Sequence, residues 1–175
     1  MTIDDQQFAR LFLPHLDAAY NLARHLARDE ALAEDIVQDA YLRALRHRHG
    51  FRGGNARAWL LTIVRRAFYS QWQQAQVTAG IEEFDEETHG AARIEDGPEA
   101  ALERTLAREH VNAALATLPA PYREVLVLRE IEELSYEEIA HVIAAPLGTV
   151  MSRLSRARAR LQRALGGLAA ETPHA

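Results

Sequence analysis

Five arginines, Arg153, Arg156, Arg158, Arg160 and Arg163, fall between Met151 and Arg163 with no acidic residue among them. The chain as a whole carries a formal net charge of -5. Fixed cations concentrated on one short segment of an acidic chain are arranged for a phosphate backbone, since guanidinium groups stay charged and release condensed counterions on binding. A second group, Arg57, Arg65, Arg66, Tyr69, Trp72 and Gln73, mixes guanidiniums, rings and an amide. That mixture holds an unstacked strand: any base can stack on a ring while arginine takes the phosphates. Trp59 and Phe68 in the same stretch are expected in the core, which leaves Tyr69 as the ring for nucleic acid. His47 to Ala56 is a basic loop with three glycines, through which a backbone or an extruded base can approach closely. Asp35, Gln38, Asp39 and Leu42 stand at i, i+3, i+4 and i+7, one face of a helix. Two acids, an amide and a leucine suit a partner protein with basic residues, although an ordinary solvated face can have the same make-up.

Other chemistries find no support. There is no cysteine, so disulfides and thiolate metal sites are excluded within this chain. The eight histidines are scattered without a His-Glu-x-x-His pair, and the glycines around Phe51 match neither a Walker nor a dinucleotide fingerprint. No cofactor or metal is expected, and no paired carboxylates or activated nucleophile suggest an enzyme. No apolar run approaches the roughly 20 residues of a membrane span, and the first residues lack the pattern of a secretion signal, so a cytoplasmic protein is expected.

The elements that must position these residues are all helical. Ser135 followed by Glu138 is a capping box that starts a helix at Tyr136, with Ile139, Ala140 and Ile143 on its apolar face. Pro146 and Gly148 mark a turn, and a second helix is expected near Thr149 as N-cap, burying Val150, Leu154, Ala157, Leu161 and Leu165. Two helices joined by about four residues have helix-turn-helix spacing, with Thr149, Ser152, Arg153 and Arg156 placed to reach base edges. Upstream, Gln7 to Leu26 forms one helix or two around Pro14. Ala31 to Arg46 is a helix burying Leu32, Ile36, Ala40, Ala44 and Leu45, and Arg57 to Gln74 is a third. Glu99 to Leu118 is expected to turn Leu102, Leu106, Val111, Ala114 and Leu115 inward. Pro121 to Ile131 is expected to pack Val125, Leu126, Leu128 and Ile131 under the helix-turn-helix. Residues 80 to 110 hold three arginines and ten acids, a net of -7. The fold is therefore expected to be all-α, with two small helical domains, residues 1–79 and 99–167, joined by an acidic flexible linker at 80–98 and followed by an unstructured tail at 168–175.

Taken together these motifs resemble an extracytoplasmic-function (ECF) sigma factor, the promoter-specificity subunit of bacterial RNA polymerase reduced to regions 2 and 4. In region 2 the resemblance rests on Ala33-Glu34-Asp35-Ile36-Val37-Gln38-Asp39-Ala40-Tyr41 and Ala58-Trp59-Leu60-Leu61-Thr62-Ile63-Val64-Arg65-Arg66. In region 4 it rests on Leu118-Pro119, Tyr122-Arg123-Glu124-Val125-Leu126, Leu134-Ser135-Tyr136-Glu137-Glu138-Ile139-Ala140, Pro146-Leu147-Gly148-Thr149-Val150, Ser152-Arg153-Leu154 and Arg156-Ala157-Arg158.

The resemblance implies that Asp35, Gln38, Asp39 and Leu42 dock on the coiled coil of the polymerase beta-prime subunit, with the beta flap as a further contact of core polymerase. It implies that Phe51, Arg52, Asn55, Arg65, Arg66 and Tyr69 capture the melted minus-10 element, and that Thr149, Met151, Ser152, Arg153, Ser155, Arg156 and Arg160 read the minus-35 element. An anti-sigma factor is an expected partner beside promoter DNA. Met151 departs from the family's usual basic residue, Arg66 from a common asparagine, and Ala144 from a glycine that often opens the turn. Two other functions remain compatible with parts of the chain: an adaptor that mimics a sigma factor to titrate an anti-sigma factor, and a dimeric helix-turn-helix repressor, which would need neither the Asp35 face nor the Phe51 loop.

Overall fold

The computed structural model describes residues 2–79 and 103–171, and every regular element among them is helical. The expected linker at 80–98, and Leu102, lie outside the described residues.

The N-terminal half holds four α-helices. Asp4 caps α1 (Asp5–Phe12) through a capping box with Gln7. Pro14 then tightens the chain into a single 3-10 turn at Leu13–His15 before α2 (Leu16–Ala27), so the Pro14 region divides into two helices. Asp29 accepts from the Leu32 N–H at 2.9 Å and starts α3 (Glu30–Arg46). Asn55 accepts from the Ala58 N–H at 3.0 Å at the start of α4 (Ala56–Ala79). Phe8, Phe12, Leu22, Leu26, Ile36, Leu60, Leu61 and Val64 fill the core between these helices. On α3 the buried residues are Ala33, Ile36, Ala40 and Ala44. Leu32 is 37% exposed, contrary to expectation, because close packing selects the small Ala33 one position on.

The C-terminal half also has four: α5 (Glu103–Ala116), α6 (Ala120–Leu126), α7 (Tyr136–Ile143) and α8 (Leu147–Glu171). After α6 the helix widens to a π turn over Val127–Ile131, where the Glu132 N–H reaches the Val127 carbonyl at 3.0 Å. Val125, Leu126 and Leu128 are buried as expected, whereas Ile131, the last residue of the wide turn, is exposed. On α5 only Ala114 and Leu115 of the expected inward residues are buried, and Leu106 and Val111 are exposed. The capping box at Ser135 is present, with Glu138 accepting from the Ser135 N–H at 2.8 Å.

The turn differs from expectation in detail. Ala144 closes α7 in the left-handed region at φ 52, the place where glycine would carry no Cβ penalty. The next helix begins at Leu147, two residues before Thr149, because the Pro146 carbonyl accepts from the Thr149 and Val150 N–H groups and fills the cap role. α8 then continues to Glu171 through Gly166 and Gly167, so four residues expected in the tail are helical, and residues 172–175 lie outside the described part.

The two halves pack on each other, α4 against α7 and α2 against α6. Arg123 is the deepest polar link. Its guanidinium donates to the Leu118 carbonyl at 2.8 Å, to the Leu26 carbonyl at the end of α2 at 3.2 Å, and more loosely to Ala116 at 3.4 Å. Arg28, left-handed at φ 57, also donates to the Ala116 carbonyl. Burial, together with the neighbouring Arg28 charge, brings the Arg123 pKa down to about 10.

Candidate nucleic-acid and protein interfaces

The helical repeat of α3 separates two faces. Ala33, Ile36, Ala40 and Ala44 go inward, which turns Asp35, Gln38, Asp39 and Leu42 outward on one open strip. Asp39 makes an i, i+4 ion pair with Arg43 at 2.9 Å, too exposed to add more than a few tenths of a kcal/mol. Leu42 is an exposed apolar side chain between these acids. With Leu32 on the same helix also exposed, the strip combines carboxylates with two open apolar side chains.

The recognition-helix candidates divide. Val150, Leu154 and Ala157 are buried against α6 and α7, fixing the roll of α8. That roll exposes Met151, Ser152, Ser155 and Arg156 and leaves Thr149 and Arg153 partly covered. Arg160 lies over the buried Tyr122 ring at 4.8 Å, and Arg158 pairs with Glu130 at 2.8 Å, so both are held at the protein's own surface. Arg156 stands exposed beside Ser152 and Ser155, and the Ser152 hydroxyl donates to the Thr149 carbonyl at 3.1 Å.

The single-strand candidates divide too. Gly53 and Gly54 both take positive φ, 90 and 91, a conformation open to glycine without side-chain cost, in the loop that leads into the start of α4. Phe51 does not stand on that loop's surface. Its ring is 7% exposed and packs on Phe12 at 5.3 Å and Trp59 at 5.5 Å, centroid to centroid. This corrects the expectation that Phe51 is among the groups that capture the melted strand: its ring recovers more apolar area against the two rings within reach than it would in solvent. The accessible groups are Arg52 and the glycine backbone, which line an open cleft of about 740 Å³ with Ile3, Leu11 and His49.

Arg66 is exposed on α4, but Arg65, Tyr69 and Asn55 are engaged by the other half of the chain. Arg65 pairs with Glu124, and the Tyr69 hydroxyl donates to the second oxygen of that carboxylate at 3.0 Å. The Arg65 guanidinium also lies over the Tyr69 ring at 4.7 Å. Asn55 donates to Glu138. Arg57, two residues along, lies 3.8 Å from Glu132, which also accepts from the Asn21 amide at 3.4 Å.

Glu124 is 0% exposed. Burial pushes its carboxyl up from the usual range, and Arg65, the Tyr69 hydroxyl and the more distant Arg153 pull it back. Tyr69 is raised far above the phenol range by burial first and by the Glu124 charge second, so its hydroxyl is a donor at any working pH. The Glu138 carboxyl is held low by the Ser135 backbone N–H first and by Asn55 second, and accepts as a carboxylate. Sequence alone did not show that Glu124, Glu132 and Glu138 face α4. The one available signal was Arg123-Glu124, two charges inside an apolar run. Among the described residues no group of acids and histidines could hold a metal ion, and no helix is long and apolar enough to cross a membrane.

Comparison with known proteins matches both halves. The family model described as Sigma-70 region 2 covers residues 11–78, and that described as Sigma-70, region 4 covers residues 108–161. The RNA polymerase sigma-H factor of Pseudomonas aeruginosa is 35% identical over 96% of this chain and 91% of its own length. ECF RNA polymerase sigma factor EcfG of Rhodopseudomonas palustris is 36% identical over 74% of this chain and 68% of its own. Among solved structures, the sigma factor RpoE bound to the anti-sigma factor NepR from Bartonella quintana superposes with a TM-score of 0.73 at 32% identity, covering 92% of this chain and 98% of that one.

Proposed function

From the premise that this chain belongs to the ECF sigma factors of bacterial RNA polymerase, we propose which of its surfaces carry the work of a promoter-specificity subunit. It binds core RNA polymerase and promoter DNA and directs transcription initiation. The α3 strip of Asp35, Gln38, Asp39 and Leu42 docks on the beta-prime coiled coil, with carboxylates steering the encounter and Leu42 supplying the apolar contact. The C-terminal half also contacts the beta flap.

The start of α8 enters the major groove of the minus-35 element, where Arg156 has the bidentate geometry for a guanine and Ser152 and Ser155 serve either base. Arg52, Arg66 and the Gly53-Gly54 backbone receive the melted minus-10 strand at the cleft beside the Phe51 loop, joined by Arg65, Tyr69 and Asn55 once these are free. The cost of unstacking, a few kcal/mol per step, is offset by these contacts. An anti-sigma factor is a further partner, a reading that rests on the NepR complex of the Bartonella protein.

The observation that carries this reading is the roll of α8: its apolar residues point inward while Arg156 and the Ser152 and Ser155 side chains stand exposed outward, on a chain whose other half presents an open acidic strip on α3. A dimeric repressor leaves that strip without a use. The test is Ser152→Ala with Arg156→Ala in run-off transcription with core polymerase. Initiation at a promoter bearing both elements is expected to fall by about 10- to 100-fold, the worth of one good bidentate base contact, with core binding unchanged. Equal initiation by wild type and double variant would refute the assignment of α8.

A further inference from the structure

Three glutamates of the C-terminal half lie against one face of α4. Glu124 takes the Arg65 guanidinium and the Tyr69 hydroxyl, Glu132 lies near Arg57, and Glu138 accepts from Asn55. They come from three separate places, α6, the turn after the π segment, and the first turn of α7. What they share is the surface they meet. From Asn55, just before α4, that surface runs along the helix through Arg57 to Arg65 and Tyr69, nearly four helical turns. Each donor in it is of the type that holds a nucleic-acid strand: guanidinium, amide, phenol and ring.

We propose that Glu124, Glu132 and Glu138 form a carboxylate row that occupies the strand-binding face of α4 in the place of phosphates, so that the C-terminal half of the chain and single-stranded DNA compete for the same groups. The proposal rests on the assignment of α4 to the melted strand. Carboxylate and phosphate oxygens take the same charge-assisted hydrogen bonds from arginine, which makes the exchange chemically like for like. The burial of Glu124 adds a requirement. Its carboxylate is satisfied only while Arg65 and Tyr69 face it, so breaking those contacts must bring water or Arg153, the nearest remaining cation that acts on it, to the group. Strand binding is thereby coupled to separation of the two halves, and the apparent affinity for the strand is reduced by the fraction of molecules that are open. The α3 strip lies outside this contact and remains open, so a docking partner can be engaged while the α4 face is still covered.

The test uses the full chain. Because it has no cysteine, Asp17→Cys on α2 and Gln162→Cys on α8, both exposed, admit a dye pair that reports the distance between the halves. Affinity for a fluorescent minus-10 single strand is measured in the same protein and in Glu132→Gln with Glu138→Gln. That pair avoids the deeply buried Glu124 and keeps the cap of α7, since glutamine also serves at the third helical position. Glu124→Gln is the second variant, and Glu137→Gln, an exposed acid on α7, is the control for bulk charge.

The expected result is strand binding about fivefold tighter for each of the first two variants with reduced energy transfer, and less than a twofold change in the control. Strand affinity that stays at the wild-type value while the halves part would overturn the proposal, as would equal gains in the control. Absence of strand binding in every protein, including those shown by energy transfer to be open, would remove the assignment of α4 to the melted strand and the proposal with it.

Discussion

Arg123 offers the sharpest energetic test of how the two halves are held. Its side chain is 3% exposed and its guanidinium makes two well-formed bonds, to the Leu118 and Leu26 carbonyls, and one long one to Ala116. A charged donor to a buried carbonyl is worth about 1.5–3 kcal/mol, so two good bonds give roughly 3–6 kcal/mol of gross interaction. Against this stands the desolvation of the cation, visible in the lowered Arg123 pKa, which costs several kcal/mol and leaves a smaller net gain.

Removal is nevertheless expensive, because Leu26 and Leu118 would keep buried carbonyls without donors at about 1–3 kcal/mol each. Arg123→Ala, which also opens a cavity, is expected to lose about 4 kcal/mol. Arg123→Met, which fills the volume and removes the buried charge, should lose about 2 kcal/mol. With a urea slope of about 2 kcal/mol/M, the unfolding midpoints would shift by about 2 M and 1 M. The assay is urea unfolding followed by far-ultraviolet circular dichroism, with the slope checked for constancy. A methionine variant as stable as wild type would refute the reasoning, since it would mean that the guanidinium's bonds do no more than repay its burial and that the orphaned carbonyls find water.

Three further outcomes follow. Asp39→Arg loses only the exposed pair with Arg43, so thermal stability should hold within about 0.5 kcal/mol while affinity for core polymerase falls at least tenfold, measured by competition against the wild-type chain. Ala144→Gly relieves a left-handed alanine at the turn and should stabilise by roughly 1 kcal/mol, raising the melting temperature by about 2–4 °C, whereas a loss of that size would place the turn elsewhere. Burial, reinforced by Arg24 and Arg123, holds the His25 pKa down at about 4 against an ordinary value of 6.5. The folded state therefore binds fewer protons there than the unfolded one. Its contribution is complete above about pH 6.5 and drains away as pH falls toward 4, on the order of 2 kcal/mol, and His25→Gln should flatten that part of the pH–stability curve.

Much of the fold was legible because helices announce their ends locally. Ser135 with Glu138, and Pro146 at the turn, placed the helix-turn-helix to within two residues. The misplacements have physical causes. Thr149 has the chemistry of a cap, but proline's fixed φ let the chain enter the helix earlier and left the carbonyl of Pro146 to receive the first bonds. Apolar spacing located the buried face of α3 but not its exact edge, since Leu32 and Ala33 are adjacent and packing density chose the smaller. The glycines beside Phe51 mark the loop in which it stands, but not the burial of its ring, because Phe12 and Trp59, 39 and 8 positions away in the sequence, make a core site for it. The surfaces on α3 and α8 were visible as periodic faces. The union of α4 with Glu124, Glu132 and Glu138 was not, because each pair joins residues dozens of positions apart and no local pattern encodes which acid meets which arginine.

What the α3 strip grips decides whether this chain works as a polymerase subunit. Purified chain mixed with core RNA polymerase should form a one-to-one complex that initiates at a promoter bearing both elements, and charge reversal at Asp35 and Asp39 together should abolish that complex while duplex minus-35 binding persists. A chain that binds duplex DNA yet forms no complex with core polymerase would contradict it.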